Sequence, residues 1–373
     1  MKRFFVNSSL IVATIVVVTT FMSCKKDDDK DNGPEVMQIT ITTDKYFAFW
    51  MNGTGTATVD WGDGSANVTQ ELLPDIGEIF TLYGHDYSSE GVYKIKIFGK
   101  NITALDCGGF QLTNLDVSRN DALTYLACCC GQLTDLDVSK NTALSYLSCG
   151  VNRLTELDVS KNTNLTWLEC VDNQLTNLDV TKNILLEKFS CYLNLLTNLD
   201  VSKNTELKEL LCNFMSLTSL DVSKNTKLTF MRCDNNNLTS LDVSKNAALT
   251  ELHCSYNQLT ELNMDNNTIL QVLCCHRNLL SSLNIDRATV LEILFCDNNQ
   301  LTALDASNNT ALKTILCQSN LFNGNTLNEL FETLHSNTIS GGKFISIGDN
   351  DGTNTCNLSI ATNRGWTVDV EDY

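Results

Sequence analysis

His253, Cys274 and His276 invite a chemical reading first, with Asp297 a short way downstream. Cysteine, histidine and aspartate are the parts of a nucleophilic set: imidazole takes the thiol proton and a carboxylate orients the imidazole. The same side chains are ordinary metal ligands. Neither an oxyanion hole nor a closed pocket can be placed beside them, so a hydrolase using Cys274, His253 and His276 is kept only as a distant alternative. "GDNDGTN", Gly348 to Asn354, has the oxygen ligands of a calcium loop. Counted from Asp349, such a loop needs Glu at its twelfth position, where Ile360 stands, so we read a turn. No phosphate loop, hydrolase elbow or paired glycosidase carboxylates can be placed. The expectation is a non-enzyme with no cofactor and no metal.

The elements that must hold these residues are set by a repeat. Cys107, Cys128, Cys149, Cys170, Cys191, Cys212, Cys233, Cys254, Cys275, Cys296 and Cys317 follow one another at a constant step of 21 residues. The chain has 16 cysteines, so most of them form one column. The surrounding unit reads L-T-x-L-D-V-S-K-N-T-x-L-T-x-L-x-C-x-x-N-x. A fixed period of this length signals a solenoid, because one coil cannot bury its own apolar face and stacked coils can. Parallel strands ~4.8 Å apart would make about eleven coils roughly 50 Å long. Leu, Val and Cys fill the interior. A thiol is small, apolar and easily buried. In-register thiols point parallel, which suits neither disulfides nor convergent zinc ligation. Asn152, Asn173 and their equivalents can bond turn backbone of neighbouring coils. That column breaks at Gly131 and Met215, and the second one, Asn120 to Asn309, at Ala288.

The half-unit "LxxLxCxxNxL" resembles the leucine-rich repeat, with cysteine in the third apolar slot. The similarity runs from about Ile102 to Asn320 and resembles the 21-residue repeats of internalins. It implies a mainly β leucine-rich repeat solenoid over residues 101–322. Within it, "DVSKN" is nearly constant. Period-two alternation turns Leu168 and Cys170 inward, and Trp167, Glu169 and Val171 outward. By the same alternation His253, Cys274 and His276 point outward. The outward columns vary and contain Tyr125, Tyr146, Trp167, Tyr192, Phe230, Arg232, His253, His276 and Phe295. Aromatics and arginine dominate binding surfaces. We therefore expect these nine residues to line a concave site for a protein, with a glycan as the alternative ligand. Tyr125, Tyr146 and Trp167 fall in consecutive coils and would form an aromatic strip.

The flanks have their own signatures. Met1-Lys2-Arg3, the apolar run Leu10 to Val18 and "FMSC" read as a secretory signal over residues 1–23, since a bilayer span needs ~20 apolar residues. "FMSC" resembles a bacterial lipobox, which implies lipidation of Cys24. "CKKDDDKDN" then begins an acidic tether, residues 24–35. It resembles the Lys-then-acidic export tag of surface lipoproteins, implying the outer membrane and cell surface of a Gram-negative bacterium. Residues 36–100 lack the period. "MQITITT", "GTATVDW", "IFTLY" and "VYKIKIF" alternate as strands do. "WGDGS", with His85/Tyr87 and Gly91/Tyr93, resembles the PKD-type immunoglobulin-like β-sandwich, which implies a spacer with a structural Asp63. After Phe322, "TLNELFETLHSN" has helical spacing. "KFISI" reads as a strand, and "CNLSIATNRGWTVDV" as a short helix, a stop at Gly365 and a final strand. "SIATxxGW" resembles the terminal cap of lipoprotein leucine-rich repeat proteins, implying a small α/β cap over residues 323–373.

Net charge weighs against one class of partner. The 373 residues hold 26 Lys and Arg against 44 Asp and Glu, a formal charge of −18. So acidic a surface repels phosphate backbones, and nucleic acid is not expected as a ligand. The reading is a monomeric, non-catalytic adhesion or interaction protein that meets the membrane only through its lipid.

Overall fold

The computed structural model describes residues 36–43, 45–74, 80–109 and 111–371. Cys24, the signal segment and the acidic tether lie outside these residues. The chain divides into two compact units at Arg153/Leu154.

The first unit contains β1 (Val36–Thr43), β2 (Tyr46–Gly53), β3 (Thr56–Asp60), β4 (Val68–Glu71), β5 (Thr81–Asp86), β6 (Gly91–Gly99), β7 (Ile102–Asp106), β8 (Leu112–Asp116), β9 (Tyr125–Ala127) and β10 (Tyr146–Ser148). β1 lies antiparallel between β6 and β8, and β3 between β4 and β6. The period-two pattern explains the pairing: Met37, Ile39 and Ile41 of β1 and Ile95 and Ile97 of β6 all point into one core. β2 is antiparallel to both β5 and β7, while β7 is parallel to β9 and β9 to β10. The coils therefore start on β7, whose other edge is closed by β2. Position 100/101 is not a break in hydrogen bonding. An uncovered edge would offer unpaired N–H and C=O groups to other chains, and this arrangement removes it.

The "WGDGS" turn closes on itself. Gly62 and Gly64 have φ of +77° and +84°, and a side chain at Gly62 would strike the Lys94 carbonyl. Asp63 accepts the Ser65 N–H at 3.0 Å and lies 2.8 Å from His85 Nε2. Burial alone would raise the Asp63 pKa, but the bonds from Ser65 and His85 bring it down to about 2.

The second unit is a parallel ladder. Its strands are β11 (Trp167–Glu169), β12 (Lys188–Ser190), β13 (Glu209–Leu211), β14 (Phe230–Arg232), β15 (Glu251–His253), β16 (Val272–Cys274), β17 (Ile293–Phe295) and β18 (Thr314–Leu316). Each pairs in register with the next, residue i with residue i+21. The central residues, Leu168, Phe189, Leu210, Met231, Leu252, Leu273, Leu294 and Ile315, are fully buried. So is every member of the 21-step cysteine column, in both units. All fifteen cysteines among the described residues remain thiols. Two of the ladder thiols reach backbone carbonyls, Cys212 Sγ that of Arg232 at 3.4 Å and Cys317 Sγ that of Ser346 at 3.4 Å.

Two asparagine columns clamp the coils. Asn257 accepts the Leu238 N–H at 3.0 Å and donates to the carbonyls of Cys233 and Cys254 at 3.0 and 3.1 Å. Its equivalents repeat this pattern. In the second column Asn246 Nδ2 reaches the carbonyls of Val222 and Asn225 at 3.0 and 2.9 Å, while its Oδ1 is buried with no hydrogen-bond donor. Nothing in the structure explains that orphaned oxygen.

At Met215 the first column is interrupted, and no Oδ1 is offered to the Leu196 N–H. The neighbouring turn loosens: Ser216 N–H reaches the Leu196 carbonyl at 3.2 Å, against 2.8 Å for Asn237 to Leu217 and 2.9 Å for Gln258 to Leu238. Met215→Asn should restore the rung. We expect about 1 kcal/mol of stabilisation, the net worth of one hydrogen bond in a buried site. A higher urea midpoint would show it; an unchanged or lower midpoint would mean that Met215 packing outweighs the rung.

The residue before each rung is left-handed. Asp172, Leu193, Phe214, Asn235, Tyr256, Arg277, Asn298 and Ser319 have φ between +49° and +56°. Asn and Asp tolerate this conformation, whereas other side chains pay about 1–2 kcal/mol for it.

The chain ends on α1 (Gly324–Thr333), β19 (Lys343–Ser346), α2 (Ser359–Thr362) and β20 (Trp366–Asp369). Asn323 caps α1, and Leu327, Leu330 and Phe331 form its buried face. β19 continues the ladder parallel to β18, and β20 continues it parallel to β19. The last turns lack the 21-residue period yet extend the same sheet. Lys343 fastens them: its Nζ donates to the carbonyls of His335, Asn337 and Arg364 at 3.1, 2.9 and 2.6 Å.

Candidate functional site

The outer face of the strands carries the variable residues. Each three-residue strand points its centre inward and its two ends toward the outer face, so coil after coil presents two flanking positions.

Tyr125 and Tyr146 belong to the first unit. Their rings stack at 4.3 Å and 8°, and Phe80 lies 5.7 Å from Tyr125. Trp167 belongs to the second unit and is 36% exposed, with Lys188 Nζ 4.6 Å from its ring centre. Lys188 also pairs with Glu209 at 2.8 Å. Tyr192 is half-buried, and burial, Glu169 and Asp172 push its hydroxyl pKa up.

The remaining predicted residues gather on β14 to β17. Phe230 and Arg232 are the two outward ends of β14. Arg232 Nε donates to Asp234 at 3.2 Å, and that carboxylate is itself buried. His253 lies 5.7 Å from Phe230 and 3.6 Å from a Glu251 carboxylate oxygen. His276 Nδ1 sits 2.9 Å from the Ser255 hydroxyl, with Tyr256 edge-on at 5.3 Å and Phe295 at 6.5 Å. Burial lowers the pKa of both histidines. Arg232 lowers that of His253 further, whereas Asp297 acts in the opposite sense on His276. The result is a half-buried patch of two aromatic rings, one guanidinium and two imidazoles biased toward the neutral form.

Two orientations differ from the period-two expectation. Val171, expected to face out, is 4% exposed. The chain has turned by that point, and Asn213, Asp234 and Asp297 in the same column are buried too. Cys274, also expected to face out, is 6% exposed. Burial pushes its thiol up to about 12. A thiol so reluctant to ionise is not a nucleophile at neutral pH. Among the described residues no three of His, Cys, Asp and Glu converge as a metal cage would require.

The roles of Asp234, Glu251 and Ser255 were missed in the sequence, although their spacing carried a signal. Glu251 and His253 are i and i+2 on one strand face; Ser255 and His276 are one coil apart.

No protein-family profile and no curated protein sequence matches the chain. Solved structures do. The functional domain of InlJ from Listeria monocytogenes, described as including a cysteine ladder, aligns at 34% identity and a TM-score of 0.62. The match covers 72% of this chain and 59% of that one, so the chain spans well under two thirds of that domain. The internalin InlF of the same organism aligns at 18% identity and a TM-score of 0.56, covering 73% of this chain and 87% of that one. A leucine-rich repeat protein of Leptospira interrogans aligns at 21% and 0.54, covering 69% and 76%. The last two share the fold alone. The repeat region is thus a leucine-rich repeat solenoid similar to that of internalins.

Proposed function

We propose that this chain is a non-catalytic binding protein of the bacterial surface, and that it takes a protein partner on the concave strand face around Phe230, Arg232, His253, His276 and Phe295. One observation carries the reading. Arg232 and His276 are each held by a hydrogen bond to a neighbouring side chain on the outer face, and Glu251 lies 3.6 Å from His253, while the interior is apolar side chains and thiols throughout. Side chains fixed before binding lose less entropy when a partner arrives.

The aromatic strip favours protein over glycan. A sugar docks flat on an open ring face. Here the Tyr125 and Tyr146 faces meet each other, and a lysine covers a face of Trp167.

Protein and glycan arrays probed with residues 25–373 test this. We expect protein spots to bind, and the combined Arg232→Ala, His253→Ala and Phe295→Ala variant to lose about tenfold or more of that signal with little change in melting temperature. Retained binding, glycan-only binding, or a collapse in stability would overturn the reading.

In this proposal Cys24 carries the lipid anchor at the outer membrane, residues 24–35 form the tether, and residues 36–100 form a PKD-like spacer that caps the first coil. The adhesin-like role follows the internalin resemblance. Cys24→Ser should abolish labelling by a palmitate analogue in cells; persistent labelling would remove the anchor.

A further inference from the structure

One carboxylate on the outer strand face lacks the partners that its burial calls for. Asp106 ends β7 and is only partly exposed. Among the described residues it accepts one hydrogen bond, from the Gly108 N–H at 3.3 Å, and no lysine, arginine or histidine pairs with it. The turn aspartates of the repeat differ. Asp137 accepts the Ser139 N–H at 2.8 Å, and the side chain and N–H of Ser139 hold its pKa down. At Asp106 burial pushes the pKa up, and the Gly108 bond offsets only part of that. The next two coils carry Ala127 and Ser148 in the same column, so the ladder does not require an acid there.

Strand pairing sets what surrounds the carboxylate. Met51, Leu105 and Leu126 are fully buried on the inner face, so Trp50, Asp106 and Ala127 beside them turn to the outer one. Trp50 stands directly opposite Asp106 across β2 and β7. Opposed residues of an antiparallel pair have Cβ atoms about 4.5–5.5 Å apart. The Trp50 indole is partly exposed and has no ring or cation against it among the described residues. On β9 the residue opposite Asp106 is Ala127, whose methyl is too short to cover a carboxylate. Tyr125, two residues earlier on β9, borders the site and meets Phe80 at 5.7 Å.

The chemistry of this pair selects its ligand. A partly buried anion with open lone pairs calls for N–H donors, and an uncovered indole attracts a cation. A guanidinium answers both, because its plane lies on a ring while its edge gives paired N–H groups to a carboxylate. An ammonium lacks that fork, and a quaternary ammonium has no N–H to give. The formal charge of −18 favours the approach of a basic partner.

We propose that Asp106 and Trp50 form a receptor for an arginine side chain of a protein partner. The site lies within the first unit and does not rest on the reading of Arg232, His253 and His276.

The probe is the blocked tripeptide Gly-Arg-Gly, titrated into the soluble chain and read by NMR at the Trp50 indole N–H, a signal assigned by its loss in Trp50→Phe. The same tripeptide with citrulline or lysine for arginine, and tetramethylammonium, are the comparison arms. We expect the arginine peptide to move this signal, and citrulline, uncharged but of the same shape, to bind about tenfold or more weakly. Lysine should fall between them, and tetramethylammonium should leave the signal in place. Asp106→Asn should weaken the arginine peptide about tenfold or more. A carboxyl whose folded pKa is raised costs stability above its unfolded value of about 3.9, so the amide variant should melt no lower than the parent at pH 7. The Arg232→Ala, His253→Ala and Phe295→Ala variant should bind this peptide unchanged. A silent Trp50 signal, equal binding of citrulline, lysine or tetramethylammonium, or equal binding by Asp106→Asn would overturn the proposal. So would a lower melting temperature for Asp106→Asn, which would make the carboxylate a structural group.

Discussion

Asn257→Ala is expected to cost about 3–4 kcal/mol, seen as a lower urea midpoint for the second unit. Its Oδ1 is the partner of the Leu238 N–H, and its Nδ2 serves the Cys233 and Cys254 carbonyls. All of these groups are buried between coils, where water cannot replace the amide. An orphaned buried donor costs about 1–3 kcal/mol by itself. The intact Asn column also sets the turn spacing that loosens at Met215. Asn246→Ala provides the internal comparison. That amide donates to two carbonyls but leaves its own oxygen unpartnered. Its removal loses two bonds and relieves one unsatisfied atom, so about half the cost is expected. Equal losses at the two sites would mean that the columns work by packing rather than by hydrogen bonding.

Cys233→Asp should be harsher, and its cost should depend on pH. Cys233 is fully buried between the Cys212 and Cys254 coils, and burial first, then those thiols, hold its pKa well above the ordinary thiol value. A carboxyl placed there is kept neutral in the folded state, so its folded pKa lies far above the unfolded value of about 3.9. At pH 7 folding must then pay for a proton that the unfolded chain does not bind, about 4 kcal/mol for three pH units. The sign follows directly. That cost shrinks as pH falls and vanishes below about pH 4, where both states are protonated. Cys233→Ala, with no charge to hide, should cost about 1–2 kcal/mol at any pH. An aspartate variant as stable as the alanine one at pH 7 would place this column in contact with water.

Much of the interior was readable because burial repeats. Leu168, Cys170 and their equivalents recur every 21 residues, and stacked coils allow no other place for them. The end elements were readable as well: Leu327, Leu330 and Phe331 have helical spacing, and Gly365 marks a stop with φ of +80°. The face was less legible. Alternation holds only while the chain is extended, so it misplaced Val171, which follows the end of its strand. It also misplaced Cys274, whose depth depends on what its larger neighbours cover. The pairing of β7 with β2 joins residues about 50 apart in sequence and leaves no periodic trace. The left-handed column was invisible because Leu193, Phe214 and Tyr256 are not residues that announce such a backbone.

The division between a hidden thiol column and an offered face can be measured in one experiment: alkylation of the native chain with iodoacetamide, read peptide by peptide by mass spectrometry, before and after denaturation. Partly exposed Cys129, Cys130 and Cys356 should be labelled in the native protein. The column from Cys107 to Cys317 should take label only once unfolded. Native labelling along that column at the rate of Cys356 would contradict the account, because the coils would then be presenting their constant side chains to solvent.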